Sequence, residues 1–230
     1  MNLTHNFDSF IPRHYWVVIL VMTNNLSYMI KKVIIFDFGN VIGMFSHLKA
    51  AMQMASHCNK DTETIRKVLF NETTENELEK GNLSPEQYRK ITCDLLNINC
   101  QDHEFDLAFS DMFTPNDAVC NIIPHLAKSH RLILLSNTNW FHAKRFLVQF
   151  DQVLRHFDSM ILSHEVGCRK PDRLIYDILN RKTNTKPSDC FFIDDLSVNI
   201  QIAKDCGWSG IIYHPEINLK KELVTYDICF

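Results

Sequence analysis

Hydrophobic positions in this chain fall into short unbroken runs separated by longer stretches of helical period. VIIFDFGNVIG at 33–43 opens on four large apolar residues, and RLILLS at 131–136, SMILS at 159–163, CFFIDD at 190–195 and GIIYH at 210–214 repeat the form. Short apolar runs of this type, ended by turn-forming or polar residues, read as strands buried on both faces. Between them, NWFHAKRFLVQF, PDRLIYDILNRK and SVNIQIAKDCG repeat apolar residues at i, i+3 or i+4, and the last ends on Gly207 as a helix stop. Strands alternating with helices of this length predict right-handed βαβ units and a parallel sheet. The expected fold class is α/β, a doubly wound parallel sheet.

One interval breaks the rhythm. From Asp37 to Ser136 the chain is far longer than the roughly 30 residues a single βαβ unit needs. Residues 46–116 carry the helical patterns HLKAAMQMASHC, ETIRKVLF, SPEQYRKITCDLL and EFDLAFSDMF, without strand alternation. Ser84 before Pro85, with Gln87 placed for a capping box, marks a helix start. The expected organisation is a core of residues 29–45 and 117–230, a helical subdomain inserted at 46–116, and an extension at 1–28. Met29 stands directly before IKKVIIFDFGNV, so the first 28 residues read as an addition outside the fold, an extra edge strand being the competing possibility.

Composition narrows the function classes. The chain has 230 residues, 46% of them apolar, so a sizeable core is affordable and disorder is not the default. A net charge of −3 leaves no basic excess with which to neutralise phosphates, which argues against a nucleic-acid partner. WVVILVM at 16–22 is much too short to span a bilayer and lacks the flanks of a signal peptide, so no membrane role is expected. The eight cysteines form no CxxC pair and no zinc-spaced cluster. They read as free thiols in a reducing, cytoplasmic setting. Nothing in the pattern bears on oligomeric state.

In open α/β sheets the residues that follow neighbouring strands meet, however distant they are in sequence. Here those are Asp37, Ser136 with Asn137, Lys170, and Asp194 with Asp195. Each has an ordinary reading: Asp37 as a turn cap, Lys170 as a solvated charge, Asp194 and Asp195 as a helix N-cap pair. Together they form a set with chemical sense. Carboxylates suit a Mg²⁺-type cation that shares its ligands with a phosphate, a lysine supplies charge, and a serine hydroxyl supplies a hydrogen bond.

The ordered set FDFGNVI, LLSNTN, GCRKPD and FFIDD resembles the four motifs of the haloacid dehalogenase-like (HAD) hydrolase superfamily, over about residues 31 to 214. With the segment LEKGNLSPEQY, it is similar to the branch holding bacterial glucose-1-phosphate phosphatases and the phosphatase domain of epoxide hydrolases. The resemblance implies a C1-type cap for the insert. It implies Asp37 as a nucleophile that becomes an aspartyl-phosphate, Ser136, Asn137 and Lys170 as binders of the phosphoryl group, and Mg²⁺ held by Asp37, Gly39, Asp194 and Asp195. The substrate would be a small phosphorylated metabolite, such as a sugar phosphate.

One position departs from that pattern. Most phosphatases of the family carry a second aspartate two residues after the nucleophile as general acid, and this chain has Gly39 there. Losing such a group costs about 10² to 10⁴ in rate. Three readings follow: a phosphatase with another acid or a good leaving group, a catalytically silent binding or regulatory protein, and a metal-independent dehalogenase. His142 is a candidate replacement acid, although an exposed helix histidine is the simpler expectation, and His47 is a second. Phe45, Phe109, Met112 and Phe113 are candidates to line the cavity, or plain core.

Overall fold

A computed structural model describes residues 32–230. The reading of residues 1–28 as an extension lies outside the described residues. Five parallel strands, β1 (Val33–Phe36), β4 (Arg131–Ser136), β5 (Ser159–Leu162), β6 (Cys190–Asp194) and β7 (Ser209–Ile212), form one sheet in the order β5-β4-β1-β6-β7. β1 lies at the centre, with Ile35 paired to Ile133 on one side and Phe192 on the other. Alternate residues feed two separate cores. Ile34, Phe36, Leu132, Leu134, Phe191 and Ile193 pack on one face, while Ile35, Ile133, Leu135 and Phe192 pack on the other. That two-sided burial is why these strands read as unbroken apolar runs.

Over residues 46–112 the chain forms five α-helices, α1 (His47–Met54), α2 (Thr62–Leu69), α3 (Glu72–Glu79), α4 (Pro85–Leu96) and α5 (Asp102–Ser110). The capping box at Ser84 and Gln87 is present. Tyr88, Phe105 and Phe109 lead a separate apolar cluster, closed at its base by Phe141. Phe141 belongs to α6 (Trp140–Gln149), which follows β4; α7 (Arg173–Thr183) and α8 (Ser197–Asp205) flank β6. At Gly81, φ is +70° and a Cβ would lie 2.3 Å from the His164 carbonyl oxygen. Only glycine lets the α3–α4 turn rest this closely on the core.

Three elements escape the sequence pattern. β2 (Gly43–Phe45) and β3 (Phe113–Pro115) pair antiparallel where the insert leaves and rejoins the core. Three residues each are too few to show alternation. Helix α3 is polar nearly all round, with Leu78 its one fully apolar buried side chain, so it has no 3.6-residue stripe to detect. Among the described residues all eight thiols are free, and no helix is long and apolar enough to cross a membrane.

Candidate active site

Asp37 is the first residue past β1, and its backbone N–H still donates to the Ile193 carbonyl at 2.9 Å. The sheet thus delivers its carboxylate to the same edge as the end of β6. There Lys170 Nζ stands 2.7 Å from Asp37 Oδ1 and 2.7 Å from Asp194 Oδ2. Lys170 is 2% exposed and therefore not a solvated surface charge. Burial pushes its ammonium down, but Asp194 and Asp37 outweigh that and hold it above its ordinary value. Asp37 meets the opposite balance: burial raises it above the usual carboxylate range against the pull of Lys170, with Asp194 adding to the rise.

The two adjacent aspartates do different things. Asp194 is fully buried and accepts from Lys170, from the Leu196 N–H at 2.8 Å, and from Asn199 Nδ2 at 2.9 and 3.1 Å on its two oxygens. Those contacts occupy about the four sites a carboxylate offers. Asp195 is half-buried, and its Oδ2 accepts from Asn40 Nδ2 at 3.0 Å. Asn40 reaches it from a left-handed backbone, φ 53°, a conformation asparagine tolerates. Oxygens of Asp37, Asp194 and Asp195 all lie within 4.8 Å of one another. This donor set of oxygens alone suits a hard cation such as Mg²⁺.

Asn137 ties the β4 loop to the lysine loop. Its Nδ2 donates to the Lys170 carbonyl at 2.9 Å while its Oδ1 accepts the Lys170 N–H at 2.8 Å. Ser136 beside it is 2% exposed. All the residues singled out from the strand ends are thus brought to one edge of the sheet. They open on a cavity of about 230 Å³ lined by Asp37, Gly39, Asn137, Lys170, Asp195 and residues of the insert. A smaller chamber of about 70 Å³, sharing Gly39 and Asn137 with it, adds Ser136 and His142. A larger surface depression of about 510 Å³ around Arg181 holds none of these groups.

The expectation of an exposed His142 is wrong. The side chain is 6% exposed, packed against the Phe109 ring at 4.7 Å, and Asn139 Nδ2 donates to its Nδ1 at 3.0 Å. That bond leaves the ring proton on Nε2. Burial drives its pKa down to about 3, so it is neutral across the physiological range. His47 lines both chambers, stacked on Phe70 at 3.7 Å, and burial lowers its pKa, with Arg66 adding to the fall. Of the candidates to line the cavity, Phe45 lines both chambers, Met112 and Phe113 line the smaller one, and Phe109 is core of the insert.

Phe45 also explains Gly39. A Cβ at Gly39 would meet Phe45 Cε1 at 3.1 Å and Asp37 Oδ2 at 4.0 Å. The ring therefore stands where a side chain at this position would extend. Sequence reasoning missed three ionisable groups in the cavity: Glu75 and Glu79 on α3, and Arg169, whose Nε lies 2.9 Å from Glu79 Oε2. Glu79 falls inside the quoted segment LEKGNLSPEQY, yet nothing in a polar helix distinguishes a buried glutamate from its exposed neighbours.

The model of the haloacid dehalogenase-like hydrolases matches residues 31–207, and the chain belongs to that family. A D-ribitol-5-phosphate phosphatase of Bacteroides thetaiotaomicron is 31% identical over 194 residues, covering 82% of this chain and 93% of the relative. Bifunctional epoxide hydrolase 2 of Mus musculus is 35% identical over 72 residues, 31% of this chain and 13% of the relative. A HAD family enzyme of Bacteroides thetaiotaomicron, solved with magnesium and inorganic phosphate, superposes with a TM-score of 0.66 at 20% identity, over 81% of this chain and 96% of that one.

Proposed function

We propose that this hydrolase is a Mg²⁺-dependent phosphomonoesterase for a small phosphorylated polyol or sugar, working through phosphoryl transfer to Asp37. The observation that carries the reading is the charge balance of the buried site. Three carboxylates within 4.8 Å of each other face one ammonium, Lys170. A divalent cation offsets that excess, and Asp37, Asp195 and the Gly39 carbonyl are the groups that would hold it. When bound, it offsets repulsion between an anionic nucleophile and an anionic phosphate. Asp194, with both oxygens occupied, is assigned to holding Lys170 instead of to ligation, which narrows the ligand set inferred from sequence.

In this reading Ser136, Asn137 and Lys170 bind the phosphoryl oxygens, and residues 46–116 act as a C1-type cap over a core of residues 29–45 and 117–230. The phosphatase relative supports a phosphorylated polyol as substrate class, and the small cavity suits a compact leaving group. A dehalogenase needs no metal, which would leave the three carboxylates with Lys170 as the one cation between them. The test is release of p-nitrophenol from p-nitrophenyl phosphate with Mg²⁺ and with chelator. We expect turnover only with Mg²⁺, abolished by Asp37→Asn. Equal turnover in chelator would exclude the metal-assisted scheme, and inertness toward a broad panel of phosphate esters would favour a silent binding protein.

A further inference from the structure

Gly39 leaves open which group protonates the leaving oxygen. We propose that Glu79, presented by α3 of the insert, is that acid, and that it then serves as base for the water that clears the enzyme. The proposal rests on the phosphatase reading above. Glu79 lines the cavity that also holds Asp37, Lys170 and Asp195, yet it comes from helix α3 of the insert instead of from a strand-end loop. It is 9% exposed. Arg169 attracts it at 2.9 Å, but Glu79 Oε2 lacks a hydrogen bond among the described residues, because the guanidinium is not aligned for one. The carboxyl is thus held near the site without being locked.

The other candidate acids around the cavity are weaker. His47 and His142 are neutral at pH 7, and a neutral imidazole N–H is a poor acid. Glu75 lies in the same cavity and shares the helix, but its side chain has no ion-pair partner within contact among the described residues to fix it. At Glu79 burial outweighs Arg169, and with Glu75 opposing Lys170 the carboxyl rests at about 7. Both its protonation states are then populated at neutral pH, as a group that alternates between acid and base requires. His47, Asp37 and Asp195 complete the ionisable groups facing that cavity.

The chemistry balances as two displacements. An Asp37 carboxylate oxygen bonds to phosphorus while the ester P–O bond breaks; its electron pair stays on the leaving oxygen, which takes the Glu79 proton, and the alcohol departs. Water then attacks the same phosphorus, giving one proton to the Glu79 carboxylate. The P–O bond to Asp37 breaks, and inorganic phosphate leaves with Asp37 ionised and Glu79 protonated again.

The decisive variant is Glu79→Gln, which keeps the shape and removes the acid. kcat/KM is measured with p-nitrophenyl phosphate, whose aryl group leaves without help, and with the best alkyl ester from a panel of polyol and sugar phosphates. We expect a fall of about 10² to 10⁴ with the alkyl ester and a much smaller fall with the aryl ester. The wild-type profile for the alkyl ester should fall as pH rises through the Glu79 pKa, and the variant should lose that limb. Equal losses on both esters, or an unchanged limb, would overturn the assignment of Glu79 while leaving the phosphatase reading intact. So would a wild type active on the aryl ester and inert on every alkyl ester. A wild type inactive on both would instead remove the phosphatase reading itself.

Discussion

Replacing Lys170 with methionine removes the ammonium that stands between two buried carboxylates, Asp37 and Asp194, and the size of the effect follows from distances. The oxygens of Asp37 and Asp194 lie within 4.8 Å, with Lys170 Nζ 2.7 Å from each residue. At an effective dielectric of about 20, two like charges at that separation repel by about 3.5 kcal/mol. Breaking a buried ion pair by removing one partner typically costs about 3 to 5 kcal/mol, so the two routes agree. A pair of this type at the surface would contribute about 1 kcal/mol or less, which makes burial the deciding quantity. The assay is urea unfolding at pH 7.5 in chelator, repeated with Mg²⁺. Lys170→Met should lose several kcal/mol in chelator and gain more from Mg²⁺ than wild type does, since the cation would sit among the same carboxylates. Adding Asp194→Asn should return part of the loss, because it removes one of the repelling charges. A loss in the range of an exposed pair, with the same Mg²⁺ response as wild type, would refute the argument.

Two further outcomes follow from the packing around the cavity. Gly39→Asp alone should not raise alkyl-ester turnover, because its Cβ meets Phe45 at 3.1 Å; Gly39→Asp with Phe45→Ala should exceed Phe45→Ala alone, as measured by kcat/KM on one alkyl phosphate. His142 should make the fold acid-sensitive: its folded pKa is near 3 while the unfolded value is near 6.5, so the unfolded chain binds more protons between those values and stability falls with pH. From pH 7.5 to pH 5 this amounts to about 2 kcal/mol. Urea unfolding of His142→Phe should show a correspondingly shallower pH dependence than wild type, and identical slopes would show that His142 is free to protonate in the folded protein.

The parts of this molecule that could be read from sequence are those where one physical demand acts on consecutive residues. A strand buried on both faces must be apolar at nearly every position, so β1, β4 and β6 announce themselves, and the polar residue that ends each run marks the ligand edge of the sheet. What adjacent residues become in three dimensions is a different matter. Asp194 and Asp195 are identical in sequence, yet one is saturated by Lys170, Leu196 and Asn199 while the other faces the cavity. That division depends on where α8 brings Asn199. His142 reads as a surface residue because polar positions in α6 cannot reveal that the insert covers them. Phe45 and Gly39 are six residues apart, and the turn in which the Gly43 N–H donates to the Phe38 carbonyl and the Asn40 N–H to the Gly43 carbonyl folds one against the other.

The same contrast separates the two walls of the site. Nucleophile, ammonium and carboxylates stand on loops anchored by the central strands, and their positions follow from sheet topology that any sequence of this pattern would produce. Arg169 and Lys170 are consecutive on one loop, yet Lys170 turns inward to Asp37 and Asp194 while Arg169 reaches out to Glu79 of the insert. Asn137 fixes the backbone of that loop through both its amide atoms. One short segment thus links the charge balance at the phosphoryl site to the group contributed by the other wall. With glycine where a general acid is expected, a poor leaving group such as an alkoxide needs its proton from another part of the site, and Glu79 is the buried acid that this loop holds there.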